Sequence, residues 1–180
     1  MGKYSNFERV PRDFYRTPAK AVQPLLPYLP ESYTYCEPCV GDGALVEALT
    51  GGTCVKSYDI EDRGYEGLTG VLDASTDLTE KHVEGCEYIV TNPPWGRKEL
   101  HPMIERFSAL RPTWLLFDSN WINTKQATAY GHLCRKIVPI GRVSWMGNGQ
   151  AGKEDSSWYL FDNKAKGILR NLTIFEWRQS

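Results

Sequence analysis

The chain has 180 residues, of which 41% are hydrophobic and 24% are charged, and its formal net charge is -1. This length favours one domain over residues 1–180, with a substantial core. The charge excludes a protein that binds nucleic acid through bulk positive charge, but it leaves room for a local basic patch. No apolar run reaches the length of a membrane span, so none is predicted.

The N-terminus and the cysteines indicate the cellular setting. The sequence MGKYSNFERVPRDFY lacks the apolar stretch of a secretory signal, and the five cysteines form no dense framework. Both features predict a cytoplasmic protein with free thiols. Cys36 and Cys39 form a CxxC, but there is no second CxxC and the three histidines are scattered. Because a structural zinc needs four ligands at workable spacing, we predict no metal site.

Apolar, β-rich segments alternate with helix-like segments along most of the chain. This alternation predicts βαβ units, with a mostly parallel sheet and helices on both faces. The last two predicted strands leave no room for a helix between them, which predicts an antiparallel hairpin at one sheet edge. The predicted strands are Tyr33–Glu37, Thr53–Tyr58, Gly67–Leu72, Glu87–Thr91, Thr113–Asp118, Ile137–Trp145 and Ser157–Phe161, and the predicted helices are Pro18–Leu29, Gly43–Thr50, Lys98–Leu110 and Asn123–Lys136.

Two late segments complete the predicted organisation. The stretch from Met146 to Ser156 is the clearest long loop, at a length where loops usually have a function or lose order. The stretch from Asn171 to Trp177 alternates apolar and polar residues, which predicts an additional strand.

A glycine-containing turn follows the first predicted strand, in the sequence YCEPCVGDGALVEAL. Gly41 and Gly43 would let backbone amides approach a ligand closely, as in the nucleotide-binding turns of doubly wound sheets. The third glycine of a phosphate-binding turn is missing, because Val46 occupies its position. The G-x-G alone therefore fits a tight structural turn equally well.

Three carboxylates fall at the C-terminal ends of consecutive predicted strands. They are Glu37, Asp59 and Asp73. Ligands of open α/β sheets bind at that edge, and an acid after the second strand suits a ribose diol. Any one of these acids is equally well explained as a solvated loop residue. Their shared register favours one common site.

The fourth predicted strand runs directly into Asn92, Pro93, Pro94 and Trp95. Two consecutive prolines donate no ladder hydrogen bonds and fix φ, so the chain must leave the sheet at this point. The stiffened turn therefore holds a polar amide and an aromatic ring at the edge where the carboxylates lie.

In this order, the glycine turn, the acids and Asn-Pro-Pro-Trp resemble the motifs of S-adenosylmethionine-dependent amino-methyltransferases. They are most similar to those of DNA adenine methyltransferases, whose signature is (D/N/S)-P-P-(Y/F/W). The segment FYRTPAKAV resembles the N-terminal cofactor segment of the branch in which cofactor motifs precede the catalytic one, and the resemblance covers residues 14–162. It implies a Rossmann-like methyltransferase fold, S-adenosylmethionine as cofactor and methyl transfer to the amino group of adenine in DNA.

The resemblance also implies cofactor contacts. Asp59 would accept hydrogen bonds from the ribose hydroxyls and Asp73 from the adenine amine. The residues flanking the methionine part would be Tyr15, Thr17 and Pro18. The residues cradling the amino-acid portion and the sulfonium would be Glu37, Pro38, Gly41 and Gly43.

The amino nitrogen of adenine is a poor nucleophile because its lone pair is delocalised into the ring. Asn92, expected to contact cofactor and target alike, would accept one amine hydrogen through its side-chain oxygen. The main-chain carbonyl of Pro93 would accept the other, with Pro93 and Pro94 fixing its direction. Trp95 would stack on a base rotated out of its duplex, contributing on the order of 1–3 kcal/mol. A core tryptophan is the alternative interpretation.

Family members in this branch often have a separate target-recognition domain, which is not expected here because only nineteen residues follow Phe161. This compactness resembles that of methyltransferases of phages and mobile elements. Phosphate contacts are expected from Arg97, Lys98, Arg142 and Lys153, which predicts a short or relaxed sequence context. Three alternatives remain: adenine in RNA, a protein glutamine amide, and a non-catalytic module with a degenerate cofactor pocket.

Overall fold

A computed structural model describes residues 15–145 and 154–164. Within these ranges the chain forms seven strands, four α-helices and four short 3₁₀ helices. The strands are Tyr33–Glu37 (β1), Gly52–Asp59 (β2), Gly70–Val71 (β3), Tyr88–Thr91 (β4), Thr113–Asp118 (β5), Cys134–Arg142 (β6) and Asp155–Phe161 (β7). The α-helices are Ala19–Val22 (α1), Ala44–Ala48 (α2), Ala74–Asp77 (α3) and Arg97–Leu110 (α4), and the 3₁₀ helices are Gln23–Tyr28, Glu80–Val83, Ser119–Asn123 and Lys125–Ala129.

The strands form one sheet in the order β3-β2-β1-β4-β5-β7-β6. The first five strands pair in parallel, whereas β7 is antiparallel to both β5 and β6. The predicted fold class is confirmed: a mostly parallel seven-stranded sheet with an antiparallel edge hairpin. Because β5 and β6 are both antiparallel to β7, β6 runs parallel to β5 and ends at the same edge as the parallel strands.

The core divides into two clusters on opposite faces of the sheet, because successive strand residues point to opposite sides. In β4, Ile89 belongs to one cluster and Val90 to the other, and both are fully buried. In β5, Leu115 and Trp114 divide in the same way. Burying an apolar side chain of this size contributes about 1.5–3 kcal/mol to the free energy of folding. Packing on both faces of the sheet therefore stabilises β4 and β5, whose ends border the expected site.

Helix α4 covers one face and begins immediately after the Pro-Pro-Trp turn. Its buried residues Leu100, Met103, Ile104 and Phe107 recur at the spacing of one helical stripe. The Leu100 amide donates to the Gly96 carbonyl at 2.8 Å, which closes the first turn. The helix therefore presents its N-terminal residues at the C-terminal edge of the sheet.

The segment that precedes β1 is fastened to the last strand. The buried indole nitrogen of Trp158 donates to the carbonyl oxygen of Ala21 at 2.8 Å, across 137 residues of sequence. Ala21, Val22 and Leu25 are fully buried around this bond. The residues just before α1 are thereby positioned over the sheet edge.

The predicted helix Asn123–Lys136 is wrong. Its place is taken by the 3₁₀ helices and by β6, which starts at Cys134 rather than at Ile137. Thr124 interrupts any continuous helix, because its side chain accepts from the Ala127 amide and starts a new turn. Trp121 then packs against the core instead of lying on a regular helical face.

Other boundaries shift for local reasons. The predicted helix Pro18–Leu29 begins with α1 and continues as the 3₁₀ helix Gln23–Tyr28, where Pro24 and Pro27 lack amide donors. The predicted strand Gly67–Leu72 shortens to β3. The expected strand Asn171–Trp177 and the loop residues up to Lys153 lie outside the described residues. In the described part, no helix is both long and apolar enough to cross a membrane.

Candidate active site

An open cleft of about 930 Å³, solvent at its mouth included, lies at the C-terminal edge of the sheet. Its walls come from the ends of β1, β2, β3 and β4, the segment before α1, and α4. Among the residues singled out from sequence, those that line the cleft are Tyr15, Thr17, Pro38, Gly41, Asp59, Asp73, Asn92 and Pro94.

Asp59 joins the ends of β1 and β2. Its Oδ2 accepts from the Gly41 amide at 2.8 Å, and its Oδ1 accepts from the Glu61 amide at 3.2 Å. Gly41 has a φ of +57°, which an L side chain rarely adopts. The Arg63 guanidinium lies 3.8 Å from Oδ1. Because a carboxylate has about four acceptor positions, Asp59 braces the glycine turn and keeps capacity for a ligand.

Gly43 is required by the turn and does not line the cleft. Its φ is +85°, and a Cβ built there would lie 2.4 Å from a ring carbon of Tyr65. It immediately precedes α2 as its N-cap. Of the two glycines of the G-x-G, Gly41 faces the cleft, and Gly43 is required by the left-handed backbone conformation that precedes α2.

Glu37 lies beneath the turn rather than in the cleft wall. Its side chain is fully buried, and Oε1 accepts from the Cys39 amide at 3.1 Å. Burial raises the pKa of the Glu37 carboxyl to about 8; the Thr91 hydroxyl and the Cys39 amide offset part of this rise, and the nearby Asp59 charge adds to it. Its Oε2 has no hydrogen-bond partner among the described residues.

Asp73 combines a structural bond with a place in the cleft wall. It is the N-cap of α3, and its Oδ1 accepts from the Ser75 amide at 2.9 Å and from the Ser75 hydroxyl at 2.6 Å. The residue also borders the cleft. The acid is therefore held in a fixed orientation at the wall of the cleft.

Asn92 connects the cleft with the turn that follows β4. Its Nδ2 donates to the Thr17 Oγ1 at 3.1 Å, and its Oδ1 accepts from the Trp95 indole nitrogen at 3.3 Å. The same indole nitrogen also donates to the Leu116 carbonyl at 3.2 Å. Pro93 is buried, so the turn is fixed from below. Both atoms of the amide thus have defined partners.

Trp95 lies beside the cleft rather than in its wall. Its ring is partly buried and meets Trp145 edge-on, with ring centroids 5.6 Å apart. Trp145 follows β6, so this contact joins the turn after β4 to the end of β6. The stacking of Trp95 on a flipped base stays a prediction.

The expected phosphate-contacting residues are exposed. Arg97 and Lys98 lie at the exposed start of α4. Arg142 ends β6, and its Nε lies 3.8 Å from the Asp155 carboxylate, with both side chains more than half exposed. Such an exposed pair contributes little energy and leaves the guanidinium accessible. Lys153 lies outside the described residues, and Pro18 does not line the cleft.

Several cleft residues were not found from the sequence. Arg16 donates to Asp42 at 2.9 Å and to Glu47 at 3.2 Å, which joins the segment before α1 to the glycine turn and α2. Some of the missed residues had a positional signal because they adjoin the sequence motifs, as Arg16, Asp42 and Ile60 do. The lining residues not singled out are Arg16, Cys39, Val40, Asp42, Ala44, Leu45, Ile60, Arg63, Ala74, Glu99 and Met103.

The donor set fits a nucleoside-bearing cationic cofactor better than a metal. Asp59 and Asp73 provide acceptors for hydroxyl and amine groups, while Ile60, Ala74 and Met103 provide apolar surface for a flat ring. Across residues 15–145 and 154–164, no group of three or more His, Cys, Asp or Glu side chains is arranged to hold a metal ion. The five cysteines, all within these ranges, are unpaired thiols.

No protein-family model matches the chain. Its sequence is 32% identical over 115 residues to the Type II methyltransferase M.VspI of Vibrio sp. (strain 343), which covers 53% of this chain and 27% of that relative. The chain thus spans about a quarter of the length of this curated relative.

Solved structures share the fold. PH1948 of Pyrococcus horikoshii, described as a candidate RNA methyltransferase, has a TM-score of 0.64 at 11% identity, with 84% of this chain and 87% of that chain covered. The type I restriction-modification methyltransferase subunit of Streptococcus thermophilus has a TM-score of 0.54 at 10% identity, covering 84% and 45%. The E. cuniculi Mtq2–Trm112 complex, responsible for methylation of the eRF1 termination factor, has 0.55 at 15%, covering 79% and 92%. The chain therefore has the Rossmann-like fold of S-adenosylmethionine-dependent methyltransferases.

Proposed function

We propose that this chain transfers a methyl group from S-adenosylmethionine to the exocyclic amino group of adenine in DNA. The observation that carries the proposal is the position of Asn92, whose amide borders the same cleft as Asp59 and Asp73. Similarity to a Type II methyltransferase and a fold shared with a restriction-modification subunit support DNA as the substrate.

The cleft suits the parts of this cofactor in order. Asp59 accepts hydrogen bonds from the ribose hydroxyls, and Asp73 accepts from the adenine amine. Tyr15 and Thr17 border the methionine end, where Arg16 anchors their segment to Asp42. The acids that border the cleft favour the positive charge of a sulfonium, and Glu37 lies beneath the turn that shapes this part of the site.

The residues after β4 prepare the acceptor for reaction. Asn92 Oδ1 and the Pro93 carbonyl accept the two hydrogens of the target amine, which frees the nitrogen lone pair for attack. S-adenosylmethionine, held by Asp59 and Asp73, would supply an electrophilic methyl group to that lone pair, with the thioether sulfur as the leaving group. The nitrogen then releases one proton to water, so no strong general base is required.

The DNA contacts lie outside the cleft. Trp95 supplies a ring face for the flipped base, and Arg97, Lys98, Arg142 and Lys153 contact phosphates. These contacts position the backbone and read few base edges, so a short or relaxed sequence context is expected. Mapping methylated adenines by sequencing tests this point, since a strict site of six or more bases would require a further recognition element.

The activity is tested with methyl-labelled S-adenosylmethionine and three separate substrates: adenine-containing duplex DNA, RNA and a glutamine-containing protein. Each product is hydrolysed, and the methylated residue is identified by mass spectrometry. N6-methyladenine in DNA is the expected result. Label found only on RNA or only on glutamine would identify that molecule, rather than DNA, as the substrate. Cofactor binding without transfer to any of the three would indicate a non-catalytic module.

A further inference from the structure

The Asn92 amide is held in one of its two possible orientations. An indole nitrogen can only donate a hydrogen bond, so the Asn92 atom that faces Trp95 must be the oxygen. The amide nitrogen then faces Thr17, whose hydroxyl oxygen accepts from it. Rotating the amide by half a turn would set its NH₂ group against the indole N–H, donor against donor. Two neighbours therefore determine the direction of the acceptor oxygen.

We infer that Thr17 and Trp95 are positioning residues that fix the catalytic orientation of the Asn92 amide, one from the cofactor side and one from the target side. The inference rests on the proposed function and gives both residues a role beyond ligand contact. For Trp95 this role belongs to the indole N–H rather than to the face of the ring.

Both positioning side chains are themselves anchored. The Trp95 indole is also bound to the carbonyl of Leu116, a fully buried residue of β5, the strand next to β4. Thr17 is only 7% exposed, and its segment is fastened through the bond between Trp158 and Ala21. Neither neighbour can move without disturbing the core, so the amide is oriented before any substrate arrives.

The bonding capacity of each group leaves room for ligands. An amide oxygen has two lone pairs, so Asn92 Oδ1 accepts from Trp95 with one and from the target amine with the other. The Thr17 hydroxyl accepts from Asn92 and keeps its own hydrogen for a group in the cleft. One amide thus connects the cofactor side with the target side. Phenylalanine or tyrosine at position 95 would lack the indole donor.

The first experiment uses Trp95→Phe, which keeps an aromatic face and removes the indole N–H. We expect kcat to fall about ten- to a hundredfold, because small misplacements of a reacting group have effects of this size. The KM for DNA and the Kd for cofactor should change less than twofold. A raised KM with unchanged kcat would overturn the inference, since it would show that Trp95 acts only by stacking.

The second experiment compares Thr17→Val with Thr17→Ser. Valine retains the shape without the acceptor, so its kcat should fall about tenfold or more, and serine should restore most of it. Because both residues act through one amide, Thr17→Val combined with Trp95→Phe should lose much less than the product of the two single losses. A serine variant as slow as the valine variant, or a fully multiplicative double loss, would contradict the inference.

A third measurement needs no substrate. In ¹⁵N NMR spectra, the Asn92 side-chain NH₂ should exchange with water more slowly than that of the exposed Asn163, and Thr17→Val should abolish the difference. Equal exchange in the wild-type protein would overturn the inference. Absence of methylation on every substrate would instead refute the proposed function, so the two failures are distinguishable.

Discussion

The two sides of the site are built differently. On the cofactor side, Asp59 holds Gly41, and Asp73 holds Ser75, each through a carboxylate oxygen within 3 Å of its partner. On the proposed target side, the cations at the start of α4 are exposed, and the Arg142 guanidinium lies 3.8 Å from the exposed Asp155 carboxylate. One side is rigid and concave, whereas the other is open and charged.

This difference fits the two proposed ligands, S-adenosylmethionine and DNA. A small cofactor has a fixed shape, so a prebuilt cleft binds it without a large ordering cost. A nucleic acid presents a regular row of phosphates, which exposed cations contact at many registers. Asn92 lies between the two sides and is bonded to both, through Thr17 and Trp95. Each side should therefore respond separately to substitution, and Asn92 should affect chemistry alone.

The largest effect is expected for Asn92→Ala, which removes the amine acceptor while leaving the cleft acids in place. Turnover should fall about a hundredfold or more, by analogy with losing one preorganised hydrogen-bonding group. Cofactor affinity, measured by calorimetry, should stay within a few fold. Asn163→Ala, an exposed asparagine after β7, is the matched control and should methylate normally. Near-normal methylation by the Asn92 variant would refute the mechanism.

Asp59→Ala should weaken the cofactor side alone. The variant loses an acceptor for the ribose and also the brace on Gly41, so affinity should fall by roughly 1–3 kcal/mol, or about five- to 150-fold. Calorimetry with S-adenosylmethionine measures this, and Glu66→Gln, an exposed acid in the next loop, should bind as the wild type does. Unchanged affinity after loss of Asp59 would exclude the ribose assignment.

Glu37→Gln should change how stability depends on pH. The pKa of Glu37 is raised to about 8, so between its ordinary range and pH 8 the folded chain binds more protons than the unfolded one. Its contribution is complete at low pH and is lost as the pH rises through this window, by at most about 1.4 kcal/mol per pH unit. Urea unfolding without cofactor from pH 5 to 8 should therefore show the variant gaining stability relative to wild type. Glu84→Gln, an exposed acid, should show no such trend, and a constant difference for Glu37→Gln would contradict the burial argument.

The smallest effect is expected from the double variant Arg97→Ala and Lys98→Ala. Losing two phosphate contacts should reduce the slope of log affinity against log salt by about 2 on duplex DNA. Binding should weaken most at low salt, while cofactor affinity stays unchanged. Lys81→Ala, an exposed lysine in the turn before β4, serves as the control. A salt dependence in the double variant equal to that of the wild type would show that Arg97 and Lys98 do not contact DNA phosphates.

The sheet was accessible from the sequence because its signals are local. Pro93 and Pro94 end β4, and the alternation of strands and helices gives the register of Asp59 and Asp73. Short elements were less accessible, since the 3₁₀ helix Lys125–Ala129 depends on one Thr124 cap rather than on periodicity. An element with strong local sequence signals, such as β4, can be predicted from those signals. The conformation of a short segment without them depends on the residues that it packs against.

The candidate site divides in the same way. Asp59 stands out because it follows a strand, whereas Glu99 and Met103 reach the cleft only because α4 folds back across the sheet edge. The bond of Asn92 to Thr17 spans 75 residues and has no local signature. Gly43 illustrates the converse, because its pattern suggested a ligand contact and its backbone serves the turn.

The buried bond between Trp158 and Ala21 has a consequence for how the chain folds. It joins residues 137 apart, and the indole belongs to β7, the last strand in the described sequence, so the bond forms only once that strand is in place. Distant pairings of this kind raise the contact order of a fold, and folds of higher contact order form more slowly than folds with mostly local contacts. The segment that contains Thr17 therefore docks only once the sheet is nearly complete. A partly folded chain would have strands and helices but no finished cleft, so cofactor capture would report the end of folding rather than guide its beginning.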